Sequence, residues 1–197
     1  MIKIIDYKAG NAPSVLHAVR SLGYTAEIIT RPEELFGASH IILPGVGSAG
    51  ATMQTLKDAD FIKALNEAVL DKKIPFLGIC VGMQILFDYS DEGAADCLGW
   101  LKGDVIRFNQ AHVRVPQMGW NEVRFCDGRS GYFYFVNSYY ALPLDKSDVW
   151  GTADYGGIFT AAVRKNNIYG TQFHIEKSGE AGLRLLDAFL AGGKNAD

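Results

Sequence analysis

Two short stretches of this 197-residue chain hold residue types that could do covalent chemistry. The first is Gly78-Ile79-Cys80-Val81-Gly82, a cysteine flanked by glycines where one apolar run ends and another begins. The run over residues 74–79 is too short for a helix and reads as a buried strand, whereas the stretch after Cys80, through Phe87, reads as helical. A strand that passes straight into a helix must turn sharply at Cys80, and glycines two residues to either side leave room for that turn and for close neighbours. A thiol at a helix N-terminus lies near unpaired amide N–H groups and the positive end of the helix dipole, which favour the thiolate. The N–H of Val81 would then point toward the oxygen of any carbonyl the sulfur attacks. Cysteine also ends core strands as an inert filler, so the chemical reading needs a base. The second stretch supplies one: His174-Ile175-Glu176 closes an apolar run. In extended backbone, residues i and i+2 face the same way, so Glu176 can orient the imidazole of His174. Such a histidine takes the thiol proton and returns it to the leaving group; the bland alternative is a solvated pair at a strand end.

A third stretch, Pro44-Gly45-Val46-Gly47-Ser48-Ala49-Gly50, contains G-x-G-x-x-G between a strand and a helix. A dinucleotide-binding turn is one reading, but the acidic residue expected about 20 positions on, at the end of the next strand, falls here in a helical pattern. A loop lending a backbone N–H of Val46 or Gly47 to an oxyanion is a second reading, and a plain turn is a third.

The elements that must position these stretches follow from periodicity. Residues 2–5, 25–29 and 39–43 read as buried strands, with a loop at 6–11, a helix at 14–22 ended by Gly23, and a helical region reaching about residue 72. Strands alternating with helices over the first 90 residues or so mean a parallel sheet covered on both faces. After that, residues 105–108, 121–125, 132–136, 149–153, 159–164 and 168–173 form successive strand patterns rich in β-branched and aromatic residues, which predicts antiparallel pairing. Asn166-Asn167 suggests a hairpin turn. A closing helix is predicted over 179–190, with Leu183, Leu186, Phe189 and Leu190 inward and Gly192-Gly193 as its stop.

Composition narrows the class. With 48% hydrophobic and 21% charged residues, the chain is expected to form one compact domain over residues 1–197. A formal charge of −3 without a basic run argues against nucleic acid as a partner. The opening apolar run is too short for a secretory signal and no run approaches membrane-spanning length, so a cytoplasmic protein is expected. Cys80, Cys97 and Cys126 are odd in number and the four histidines are scattered, which predicts neither a disulfide framework nor a metal site, and nothing calls for a cofactor.

The pieces Pro44-Gly45-Val46-Gly47, Gly78-Ile79-Cys80-Val81-Gly82-Met83-Gln84 and Gln172-Phe173-His174-Ile175-Glu176-Lys177-Ser178 resemble class I glutamine amidotransferases. Pro116-Gln117-Met118-Gly119-Trp120-Asn121 and Tyr134-Phe135-Val136-Asn137-Ser138-Tyr139 are similar to the glutaminase subunits of imidazole glycerol phosphate synthases within that family. The resemblance covers essentially the whole chain. It implies a flavodoxin-like three-layer α/β fold whose mixed, mainly parallel sheet has an antiparallel portion in the second half. It implies hydrolysis of L-glutamine to glutamate, with ammonia passing through a tunnel to a cyclase partner that makes imidazole glycerol phosphate and AICAR in histidine biosynthesis, the two chains forming a heterodimer. By position, Cys80, His174 and Glu176 form the triad; Val46, Gly47 and Val81 the oxyanion hole; Gly47, Gln84, Glu92 and Ser138 the glutamine site; and Asn11, Met118, Trp120 and Lys177 the partner interface. Gln117 and Asn137 stand where the family has histidine, and Ile175 where it has proline. A glutaminase serving another synthase, for pyridoxal phosphate or surface-sugar amination, and a nucleotide-binding module are the competing readings.

Overall fold

A computed structural model of the chain describes residues 1–8 and 11–192; Ala9 and Gly10 of the first loop and Gly193 of the helix stop lie outside the described residues. In chain order the elements are β1 (Ile2–Ile5), α1 (Ala12–Ser21), β2 (Ala26–Ile29), β3 (His40–Gly45), α2 (Ala49–Asp58), α3 (Phe61–Leu65), β4 (Phe76–Cys80), α4 (Val81–Gln84), β5 (Tyr89–Ser90), β6 (Ala95–Asp96), β7 (Gly103–Arg107), β8 (Gln117–Phe125), β9 (Ser130–Asn137), β10 (Tyr139–Pro143), β11 (Val149–Asp154), β12 (Ile158–Lys165), β13 (Ile168–Thr171) and α5 (Gly179–Leu190).

The sheet is mixed. Strands run β2-β1-β3-β4-β13 in parallel, then continue antiparallel through β12, β10 and β7, with β11, β8 and β9 branching from β12. From β1 the chain crosses to β2 on one side, whereas from β3 it crosses to β4 on the other. Right-handed crossovers therefore place α1 and the α2–α3 pair on opposite faces. The carboxyl ends of β1, β3, β4 and β13 lie side by side, which in open α/β sheets is where ligands bind. One continuous core joins the halves; Phe133 and Phe173, for example, stack at 4.2 Å between ring centroids. No helix among the described residues is long and apolar enough to cross a membrane.

Several boundaries differ from the sequence reading for identifiable reasons. The helix after Cys80 stops at Gln84. Ile85, Leu86 and Phe87 are fully buried, but their carbonyls accept from Leu98, Leu101 and Gly99 instead of continuing a helix. The helical region before β4 breaks at Asp60, which has φ 57, and finishes as a π-turn over Asn66–Asp71. The strand expected at 121 begins at Gln117, and β10, which was not expected, follows β9 after a single residue. The hairpin at Asn166 forms, with φ 53 and Lys165 paired to Ile168. On α5 the buried stripe is Leu185, Leu186, Phe189 and Leu190, so Leu185 takes the inward place expected for Leu183, which is partly buried.

Candidate active site

Cys80 joins β4 to α4 with φ 55 and ψ −110, a conformation L-residues rarely adopt. Strain of this kind costs ~1–3 kcal/mol and persists only where the surroundings over-determine it. Three glycines supply the constraint. A Cβ on Gly78 would sit 2.5 Å from the Gly82 carbonyl carbon and 2.8 Å from the Met83 nitrogen, and one on Gly45 would sit 2.8 Å from the Val81 Cβ. A Cβ on Gly82 would collide with the Leu43 carbonyl. Backbone therefore packs directly on backbone around the cysteine, and the register Gly45 to Cys80 brings the glycine loop alongside it. Val81 opens α4, so its N–H has no carbonyl partner within the helix and is free to face the cavity.

The imidazole arrives from β13, which pairs with β4 through Thr171 and Ile79. His174 Nδ1 lies 3.0 Å from Glu176 Oε1, which leaves the other ring nitrogen for Cys80 on the wall of the same cavity. The contact is the one expected, but the backbone is not extended. Ile175–Lys177 forms a 3-10 turn, in which Lys177 N–H and Ser178 Oγ donate to the His174 carbonyl at 3.0 and 2.6 Å. Asn11 Nδ2 also donates to Glu176 Oε1, at 3.1 Å, and the Glu176 side chain is fully covered. Burial alone would depress the His174 pKa; hydrogen bonds and negative charge from Cys80 and Glu176 outweigh it and raise it to about 9. For Glu176, burial pushes upward, but the imidazole and the Asn11 amide hold the carboxyl below its ordinary value.

These groups open onto a cavity of about 270 Å³ lined by Val46, Gly47, Cys80, Val81, Gln84, Glu92, Ser138 and His174, with Pro116, Val136, Asn137 and Tyr139 completing the wall. The size suits an amino acid rather than a dinucleotide. Glu92 approaches from the loop after β5; its Oε2 accepts from Ala49 N–H at 3.2 Å at the start of α2, and burial raises its pKa against that hydrogen bond. A carboxylate thus occupies the helix N-terminus where a pyrophosphate would bind, which removes the structural basis for reading residues 45–50 as a nucleotide turn. Gln84 is 2% exposed, donates to the Tyr139 carbonyl and to Gln172 Oε1 at 3.2 and 3.1 Å, and keeps its own Oε1 unpartnered.

Of the residues expected in the triad, the oxyanion hole and the glutamine site, all line this cavity except Glu176, which sits behind His174. The expected interface residues do not line it. Met118 and Trp120 are 67% and 57% exposed on β8, Lys177 is exposed beside Glu176, and Asn11 bonds to Glu176 from behind. Gln117 and Asn137 pair across β8 and β9, both buried and each with an unpartnered side-chain oxygen. Sequence reasoning missed Tyr139, Val136 and Gln172 as neighbours of the nucleophile. Only Gln172 left a signal, as an amide inside an apolar strand.

A family model for class-I glutamine amidotransferases matches residues 3–191. Among curated relatives, the imidazole glycerol phosphate synthase subunit HisH of Dehalococcoides mccartyi is 45% identical, with 96% of each chain covered. The subunit of the same name from Leptospira borgpetersenii is 42% identical over 97% of this chain and all of its own. A crystal structure of a glutamine amidotransferase superposes with a TM-score of 0.78 at 21% identity, covering 97% of this chain and 98% of that one, a likeness of fold. With the family model spanning both halves of the sheet and full-length relatives of this similarity, the chain belongs to the class-I glutamine amidotransferase family, alongside the HisH subunits of imidazole glycerol phosphate synthase.

Proposed function

We propose that this chain is the glutaminase subunit of an imidazole glycerol phosphate synthase, a single cytoplasmic amidotransferase domain that supplies ammonia to a cyclase partner in histidine biosynthesis. The observation that carries the reading is Cys80 and His174 together on the wall of an amino-acid-sized cavity, with Glu176 bonded to His174 from behind. The sulfur of Cys80 attacks the carboxamide carbon of L-glutamine. The resulting oxyanion is held by the N–H of Val81 with one from Val46 or Gly47. His174, protonated at neutral pH, gives its proton to the departing nitrogen, ammonia leaves, and a thioester remains. Water, deprotonated by the now neutral imidazole, attacks the thioester and releases glutamate. Glu176 fixes the ring direction throughout. Gln84 and the carboxylate of Glu92, both on the cavity wall, take the donor groups of the substrate, its ammonium above all.

Ammonia then passes through a tunnel to the partner, which forms imidazole glycerol phosphate and AICAR. Met118 and Trp120 form an apolar docking patch, with Lys177 as a charge beside it and Asn11 linking that edge to Glu176. Met118 is in register with Val136, whose carbonyl is 3.9 Å from the Cys80 sulfur, so docking on β8 bears directly on the strand beside the nucleophile. The test is steady-state glutamate release by the chain alone, then with the cyclase and its nucleotide ligand. Turnover rising ~100- to 1,000-fold on addition is expected if docking completes the oxyanion hole. Equal rates, with no complex detected by sedimentation at micromolar protein, would sink the proposal.

A further inference from the structure

A chain of buried amides runs from the far wall of the cavity to the nucleophile. Asn137 Nδ2 and Gln84 Nε2 both donate to the Tyr139 carbonyl, at 3.0 and 3.2 Å. A carbonyl only accepts, so Gln84 must present its nitrogen there, and that same nitrogen lies 3.1 Å from the Gln172 side chain. Gln172 must therefore turn its oxygen toward Gln84, which leaves its NH₂ facing the Cys80 sulfur at 3.7 Å. Both glutamines are enclosed, Gln172 completely, so water cannot substitute for any link. The thiol form of Cys80 has the Val136 carbonyl as an acceptor at 3.9 Å, but once the proton has gone that carbonyl can only repel the anion. Gln172 is an uncharged donor to the sulfur, separate from the imidazole.

We propose that Gln172 is a positioning residue: its amide N–H holds the Cys80 thiolate in its attacking direction, and its oxygen ties that hold to Gln84 on the substrate wall. The inference rests on Cys80 being the nucleophile. His174 beside the sulfur, Glu176 behind His174, Tyr7 after β1 and Glu92 across the cavity are the titratable groups around it. An uncharged replacement of Gln172 removes none of these side chains, so the effect of the amide can be read separately.

The experiment is iodoacetamide labelling of Cys80, quantified by peptide mass, in the full chain as a function of pH, with kcat and KM for glutamine measured alongside. For Gln172→Met, labelling at pH 7 should fall about tenfold, the size of one hydrogen bond to a charged group, and converge with the parent rate at high pH, where the thiol ionises anyway. kcat should fall by a similar factor, with a smaller change in KM. Gln172→Asn keeps an uncharged amide but draws it back from the sulfur by one methylene, so its labelling at pH 7 should also fall; it decides the matter if the methionine variant misfolds and labels at all three cysteines. Parent labelling curves and parent kcat in a folded variant would overturn the proposal. A Cys80→Ala protein that still hydrolyses glutamine would instead overturn the catalytic reading on which it rests.

Discussion

Gly78→Ala tests whether backbone-on-backbone packing is what aims the nucleophile. The added Cβ would lie 2.5 Å from the Gly82 carbonyl carbon, and closer still to its oxygen, against an ordinary contact of 3.4 Å, so the turn after Cys80 has to retreat by at least 0.9 Å. Its neighbours are main chain on both sides, because Gly82 itself lies against the Leu43 carbonyl. No flexible side chain is there to yield. Overpacking of this kind costs ~1–3 kcal/mol of stability. A displacement of about 1 Å in a reacting group costs ~100-fold in rate, so kcat/KM for glutamine should fall by that order while most of the protein stays folded. The assay pairs glutamate release, measured with the synthase present, with a urea midpoint for the isolated chain. Gly47→Ala serves as the comparison, since its Cβ would meet nothing within 4 Å and only its φ of 95 opposes the change. A Gly78→Ala protein with the parent's kcat/KM and urea midpoint would refute the packing argument.

Cys80→Ser should lose nearly all glutamine hydrolysis without unfolding, and Glu176→Gln should keep more activity than His174→Ala, because an orienting group is less central than the proton carrier; parent-level turnover by Cys80→Ser would end the assignment. His174 has its folded pKa raised from 6.5 to about 9, so its contribution to stability is present below 6.5 and lost as pH rises through about 9. Turnover should fall over the same alkaline range as the proton donor for ammonia disappears, and Glu176→Gln should move that fall to lower pH; a rate still rising beyond it would contradict the role. Glutamine should protect Cys80 from iodoacetamide but leave Cys126, which is exposed, unprotected, and Cys97 should react slowly because burial pushes its thiol up to about 11; peptide mapping with protection at Cys126 would show the cavity misassigned. Trp120→Ala should leave basal turnover unchanged and weaken stimulation by the synthase, read as a raised half-saturation concentration; unchanged stimulation would remove Trp120 from the docking surface.

The parts of the site that were legible in the sequence are those where chemistry restricts residue type. A glycine-flanked cysteine at a strand end and a histidine two residues before a glutamate have few uses, and both landed on the same cavity. The local geometry was less legible. Spacing alone put Glu176 against His174 through extended backbone, whereas Ser178 and Lys177 pull that segment into a 3-10 turn, a result of hydrogen bonds to one carbonyl. The end of α4 was hidden for a long-range reason, since carbonyls that could have continued it are claimed by the segment around Leu98. Gln172 could be recognised as buried but not as a neighbour of Cys80, because that depends on β13 lying against β4. Asn11, expected at the interface, bonds to Glu176, a contact that joins residues 165 positions apart.

The place of β13 also bears on when activity can first appear. It is the last strand in chain order, yet it sits between β4 and β12 in the middle of the sheet, and it brings His174 with it. During synthesis on the ribosome, a chain that already displays Cys80 has a gap beside it where the base belongs. Hydrolysis by the proposed triad therefore waits for the central strand, one of the last elements to be made, to take its slot beside β4.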